Sequence, residues 1–167
     1  MKNRYYYITA ALLVSLFLYV FYRTEKTLIN DIVIRTISYP TYALLKAKVT
    51  TVLPLNNLVV YSLPEGLWVF CITITSKPYF IPLKNRHFHC VYIPLLFSTG
   101  LELLQLLHIT KGRFDFMDIW VSFVFWFIAN FAFTYTFTKQ NIFSSMNPKA
   151  VACLASYSIV YLSHVLD

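Results

Sequence analysis

Five stretches of this chain are long apolar runs bounded by charged or turn-forming residues: Tyr5 to Tyr22, Gly66 to about Ile81, Phe88 to Leu107, Ile119 to about Phe137, and Val151 to Val165. About 20 apolar residues in helical form cross roughly 30 Å of hydrocarbon, where a spanning segment must satisfy its own backbone hydrogen bonds. The pattern therefore predicts an all-α, polytopic membrane helical bundle of about five transmembrane helices, forming one integral membrane domain over residues 1–167. The first run lies between Lys2 and Arg4 on one side and Arg23 and Lys26 on the other. It has no small-residue cleavage pattern, so it reads as a retained anchor. The second carries Lys77 and Pro78 near its end, which predicts a short span with a snorkelling lysine or a kink there.

The segment between the first two spans has a different character. Ile29, Ile32, Val33 and Ile37 recur at helical spacing opposite Asp31 and Arg35, as suits an amphipathic helix lying in the membrane interface. Tyr39-Pro40 then breaks it.

Composition agrees with lipid as the solvent. Hydrophobic residues make up 58% of the chain and charged residues only 13%, too few to cover a water-soluble surface. A soluble two-domain enzyme, a disordered chain and a disulfide-stapled miniprotein are excluded; Cys71, Cys90 and Cys153 all lie in apolar stretches. The net charge of +7 is explained by basic residues that flank spans and meet anionic lipid, so nucleic acid is not an expected partner. Membrane lipids are, and other membrane proteins could be. Lys and Arg divide evenly between the two faces, seven to seven. Discounting those scattered over the long first loop places the N-terminus in the cytoplasm of a multi-pass inner-membrane protein.

Because helices alternate in direction, the first loop, the start of the second span, the end of the third and the start of the fourth share one membrane face. Polar chemistry gathers there: Glu65, Gly66 and Trp68 at the second span, Glu102 and Gln105 on the third, and Lys111 to Asp118 in the connection that follows. Glu102 is the most telling of these, since an ionisable side chain inside a span costs about 2.5 kcal/mol or more without a partner. Ser98, Glu102 and Gln105 share one helix face and should point into the bundle, with Arg113 as the expected partner of Glu102. An ion pair that merely packs the helices would account for the same two residues. Asp115 and Asp118 open the fourth span, where capping explains one of them and a cation, arginine or proton is needed for both. Four acids against Lys111 and Arg113 favour a bound cation or a shared proton.

Ser98-Thr-Gly-Leu-Glu102-Leu-Leu-Gln105, followed by Gly112-Arg113-Phe-Asp115-Phe-Met-Asp118, resembles the signature of the VanZ-like family of bacterial membrane proteins. Ser62-Leu-Pro-Glu65-Gly-Leu-Trp68 is also similar to some members, and the resemblance covers about residues 53–131. Members often carry Asn one turn after the second Asp and then a small Gly, where this chain has Ser122 and Phe125, which points to different packing between the third and fourth spans. The resemblance implies a cell-envelope protein related to one associated with resistance to the glycopeptide teicoplanin.

His87 and His89, two residues apart, would point to opposite sides of a helix, and no second cluster completes a metal site. Trp68 and Trp120 read as interfacial anchors, Trp126 and Asn130 as packing residues. No phosphate-loop, His-Glu-x-x-His or Gly-x-Ser-x-Gly motif occurs, and the sequence specifies no cofactor. Three functions fit. The first is an envelope enzyme or binder of a lipid-linked or cell-wall molecule, with Glu102, Asp115 and Asp118 as the reactive acids and Arg113, Gln105, Glu65 and Trp68 binding substrate. The second is a non-catalytic scaffold subunit of a membrane complex. The third is a transporter, which the scarcity of polar residues at mid-membrane disfavours.

Overall fold

The computed structural model describes residues 3–24, 28–84, 86–110, 113–132, 138–144 and 148–165. Among these, seven helices and a small sheet follow in the order α1 Asn3–Tyr22, α2 Leu28–Ile37, α3 Tyr39–Val52, α4 Asn57–Ser76, β1 Tyr79–Leu83, β2 Arg86–His89, α5 Ile93–Leu106, α6 Phe116–Phe131, β3 Gln140–Asn141 and α7 Pro148–Val165. Helix α1 and helix α4 are long and apolar enough to cross a membrane, each with a mean hydropathy of 1.6. The segments Cys90–Leu106 and Phe116–Phe131 are apolar but shorter.

Helix α4 is the central element. Helix α1 runs antiparallel to it, so that Arg23 Nη2 at the end of α1 donates to Tyr61 O near the start of α4 at 3.1 Å, while Ile8 meets Cys71 at the other end. Helix α6 runs parallel to α4. Gly66 makes their approach close, because a Cβ there would lie 2.5 Å from Phe125 Cδ2 and 2.7 Å from Val121 Cγ1. At the far end Lys77 Nζ donates to Asn130 O at 2.9 Å, tying the two helix ends together. Helix α5 returns antiparallel to both, with Trp126 Nε1 donating to Val91 O at 2.8 Å just before α5 begins. Helix α7 meets α4 through Ser76, which lies 2.8 Å from the Tyr157 hydroxyl.

The second apolar run needs correction. Its helix begins nine residues earlier, at Asn57, with the Asn56 side chain capping it by accepting Val59 N–H at 2.9 Å, and Pro64 sits inside it. It ends at Ser76, and the residues assigned to its end and to the start of the third run form a hairpin instead, pairing Phe80 with His89 and Pro82 with His87. Strand β3 joins β1 in parallel, giving the order β2-β1-β3. The sheet closes the end of the bundle where α4 and α6 finish and α5 and α7 begin. The fold is therefore predominantly helical rather than all-α.

At the opposite end, the expected amphipathic segment is α2, whose Asp31 and Arg35 pair at 2.9 Å on its exposed side. A break follows it at Ser38, held at φ 70°, and Pro40 then lies in the first turn of α3, a helix the hydropathy pattern did not predict. Both pack on the end of α1: Asn30 Nδ2 donates to Thr24 O at 2.8 Å, and the Tyr42 hydroxyl to Val20 O at 2.8 Å.

Candidate functional site

Three helices deliver one carboxylate each to the α2–α3 end of the bundle. Glu65 comes from α4, Glu102 from α5 and Asp118 from the first turn of α6, with one oxygen of each lying within 4.8 Å of the others. The close α4–α6 approach at Gly66 sets the spacing between Glu65 and Asp118, and the antiparallel return of α5 supplies the third acid. Around them lies a lining of small hydroxyl side chains. The Ser98 hydroxyl donates to Glu65 Oε1 at 2.7 Å and lies 2.9 Å from Ser122 Oγ, with both serines fully buried. The Ser62 hydroxyl is within hydrogen-bonding reach of the Asp118 carboxylate. Ser122 thus continues the Ser98 network. Phe125 packs into the space left by Gly66 on α4.

The structure separates the two acids at the start of α6. Asp115 is the N-cap of α6: its Oδ1 accepts Met117 N–H at 2.9 Å and its side chain is exposed. Its contribution to the cluster is made by the backbone, whose N–H donates to Glu102 Oε2 at 2.9 Å. That bond uses Glu102 Oε2 as an acceptor and leaves Oε1 free to carry a proton or meet a cation. Asp118 points inward, and its Oδ1 is buried without a hydrogen-bond partner among the described residues.

Arg113 does not meet Glu102. It is exposed, and among the described residues no ion pair joins the two. The Asp115 backbone N–H meets Glu102 instead, at 2.9 Å, and Arg113 stays exposed. Among the described residues, the cation within electrostatic reach of both Glu65 and Asp118 is Arg23, at the end of α1. Its guanidinium lies over the rings of Tyr19 and Tyr61, 5.2 and 4.9 Å from their centroids, and its Nε is buried without a partner among the described residues. Tyrosine faces hold a guanidinium in place while leaving its in-plane donors available.

Gln105 is partly buried and its side chain makes no hydrogen bond among the described residues. Trp68 is turned against α5, edge-on to Phe97 at 6.1 Å, and so packs the bundle just behind the carboxylates. Trp126 is buried, as its reading as a packing residue implies, and Trp120 is half exposed. Lys111 and Gly112 lie outside the described residues. The histidines are on a strand, where residues two apart share a face, so His87 and His89 point the same way.

Oxygen ligands bind Ca²⁺ at about 2.3–2.6 Å and Mg²⁺ at about 2.0–2.1 Å, so two ligands of one ion are separated by no more than roughly 5 Å and 4 Å respectively. The spacing of Glu65, Glu102 and Asp118 fits the larger ion as it stands. Three converging carboxylates beside Arg23 call for a shared proton or a bound cation among them, and a divalent cation held there could in turn grip a phosphate oxygen beside Arg23. Comparisons with family models, curated proteins and solved structures return no match to this chain.

Proposed function

We propose that the chain is a multi-pass, VanZ-like membrane protein of the bacterial envelope, with α1, α4, α5, α6 and α7 as its spans. In this reading its carboxylate cluster holds the phosphate of a lipid-linked molecule through a divalent cation. The observation that carries this reading is the convergence of Glu65, Glu102 and Asp118, drawn from three helices, with Arg23 beside them. All three members of that trio, Glu65, Glu102 and Asp118, lie in the motifs that carry the family resemblance. Membrane placement is supported by the apolar exterior: Leu12, Leu13, Leu96, Phe123 and Phe127 are each at least 41% exposed on helices that would otherwise face water. With the N-terminus in the cytoplasm the cluster faces outward, and α2 and α3 lie in the outer interface beside it. A lipid-linked head group would reach it there, the phosphate meeting the cation and Arg23 together.

The scaffold reading has its own support. Ser98, Ser122 and the Asp115 N–H close hydrogen bonds that would lock α4, α5 and α6 without any ligand. Binding of a polyprenyl phosphate to the detergent-purified chain, with Ca²⁺ or Mg²⁺ and with chelator, separates the two. The site reading expects cation-dependent binding that weakens at least about tenfold, or about 1.4 kcal/mol, in Glu65→Gln, Asp118→Asn and Arg23→Gln. Equal binding by the parent and all three folded variants, or none by the parent, would replace it with the scaffold.

A further inference from the structure

The opposite end of the molecule carries a second feature, an apolar cavity of about 580 Å³ between the sheet, the start of α5 and the second and third turns of α7. Its walls are Ile81 and Ile142 from the sheet end, Ile93 and Phe97 from α5, and Leu154 from α7. Two polar residues also line it, and both hydroxyls are engaged within the protein. Tyr157 Oη lies 2.8 Å from Ser76 Oγ, and Ser158 Oγ donates to Leu154 O at 3.2 Å. The cavity therefore offers an occupant hydrocarbon contact and little else. Its size is that of a small-molecule site.

The surroundings set the charge of that occupant. Residues 66–101 and 119–166 contain no Asp or Glu, while Lys77, Lys84, Arg86, Lys139 and Lys149 all fall in these stretches. Among the described residues the acids Asp31, Glu65, Glu102, Asp115 and Asp118 lie at the other end, so the described charges of the sheet end are basic. Lys139 stands three residues before Ile142, its Nζ 3.3 Å from His89 Nε2, and Lys149 lies in the first turn of α7, five residues before Leu154. Desolvation, with Lys139 and His87 nearby, holds His89 below the usual imidazole range, so lysine and arginine carry the charge near pH 7. The exposed Arg86 and Lys84 lie along the same sheet.

We infer that this cavity binds a single acidic phospholipid, one acyl chain running down between α5 and α7 and the phosphate held at the basic sheet. The geometry suits it, because both wall helices start at the sheet and lead away from it. A hydrocarbon groove that meets a basic rim at the head-group level is the arrangement that selects anionic lipid. This site rests on the membrane placement proposed above but not on the carboxylate cluster at the other face.

The test uses the full chain purified in mild detergent, exchanged against phosphatidylglycerol or phosphatidylcholine, and read by native mass spectrometry for retained lipid. The parent should retain phosphatidylglycerol about fivefold or more over phosphatidylcholine, since each basic residue near a head group contributes about that factor. Arg86→Glu with Lys139→Glu should remove the preference while leaving some lipid bound. Leu154→Trp should fill the groove and remove both lipids, and Ile93→Trp serves if that variant does not fold. Equal retention of the two lipids by the parent, no retention at all, or undiminished retention in the folded tryptophan variant would overturn the proposal. Carbonate extraction of the source membranes reads membrane placement separately. Chain released to the supernatant defeats both readings, whereas chain in the pellet without lipid preference defeats only this one.

Discussion

Replacing Gly66 by alanine places a methyl carbon 2.5 Å from Phe125 Cδ2 and 2.7 Å from Val121 Cγ1, about 1 Å closer than ordinary contact. Phe125 cannot simply turn away, because its ring already stands edge-on to Phe70 at 6.4 Å. Either the ring leaves its rotamer or α4 and α6 move apart, at about 1–3 kcal/mol for such overpacking. Alanine also gains about 1 kcal/mol of helix propensity over glycine, which would mask part of the loss. Gly100 provides the control, since it is helical and a Cβ there meets nothing within 4 Å. Gly100→Ala therefore takes the propensity gain alone, and the difference between the two variants isolates the clash. For a chain of this size 1 kcal/mol moves Tm by about 2–4 °C, so Gly66→Ala should melt roughly 2–12 °C below Gly100→Ala in detergent. Phe125→Ala should narrow that gap by relieving the contact. Identical melting of the two alanine variants, or a gap that Phe125→Ala leaves unchanged, would refute the packing argument and with it the account of how Glu65 and Asp118 are brought together.

Other expectations follow from the same contacts. Ser98→Ala leaves Glu65 Oε1 without its donor and removes the link to Ser122, so thermal unfolding should show a loss of about 1–3 kcal/mol. Arg113→Lys should leave polyprenyl phosphate binding within about twofold of the parent, whereas Arg23→Lys, which loses the planar fork between Tyr19 and Tyr61, should weaken it about tenfold; the reverse ranking would restore Arg113 as the site arginine. Reporter fusions at Lys139 and after Asp167 should give cytoplasmic and periplasmic signals respectively, placing the basic sheet inside, and exchanged signals would invert the topology.

How far these features were legible varies with the distance over which each is specified. The face shared by Ser98 and Glu102 is a property of one helix, and both side chains are buried at 0 and 3% exposure. The amphipathic segment Ile29 to Ile37 is equally local, and α2 ends at Ile37. Arg23 was missed because sequence proximity favoured Arg113, while Arg23 reaches the cluster through the antiparallel packing of α1 on α4. Its position at the end of the first span, on the face where the polar residues gather, was the available signal. The hairpin was hidden by its own hydrophobicity. Tyr79-Phe-Ile-Pro-Leu83 and Phe88 extend the hydropathy of the neighbouring helices, and only Lys84, held at φ 46°, together with the charged residues around it, marked a turn. The second run starts at Gly66, nine residues late, because α4 continues upstream through Glu65 and Pro64 to its Asn56 cap.

The cluster's ability to hold a divalent cation is the claim on which the proposed function turns, and the melting temperature of the purified chain with added Ca²⁺ or Mg²⁺ tests it directly. A ligand at 100 times its Kd stabilises by about 2.7 kcal/mol, which corresponds to a rise of roughly 5–10 °C for a chain of this length. The account predicts such a rise for the parent and its loss in Glu102→Gln and Asp118→Asn, with Asp115→Asn responding like the parent because Asp115 reaches Glu102 through its backbone. A parent indifferent to both ions, or an Asp118→Asn variant that responds as the parent does, would contradict it.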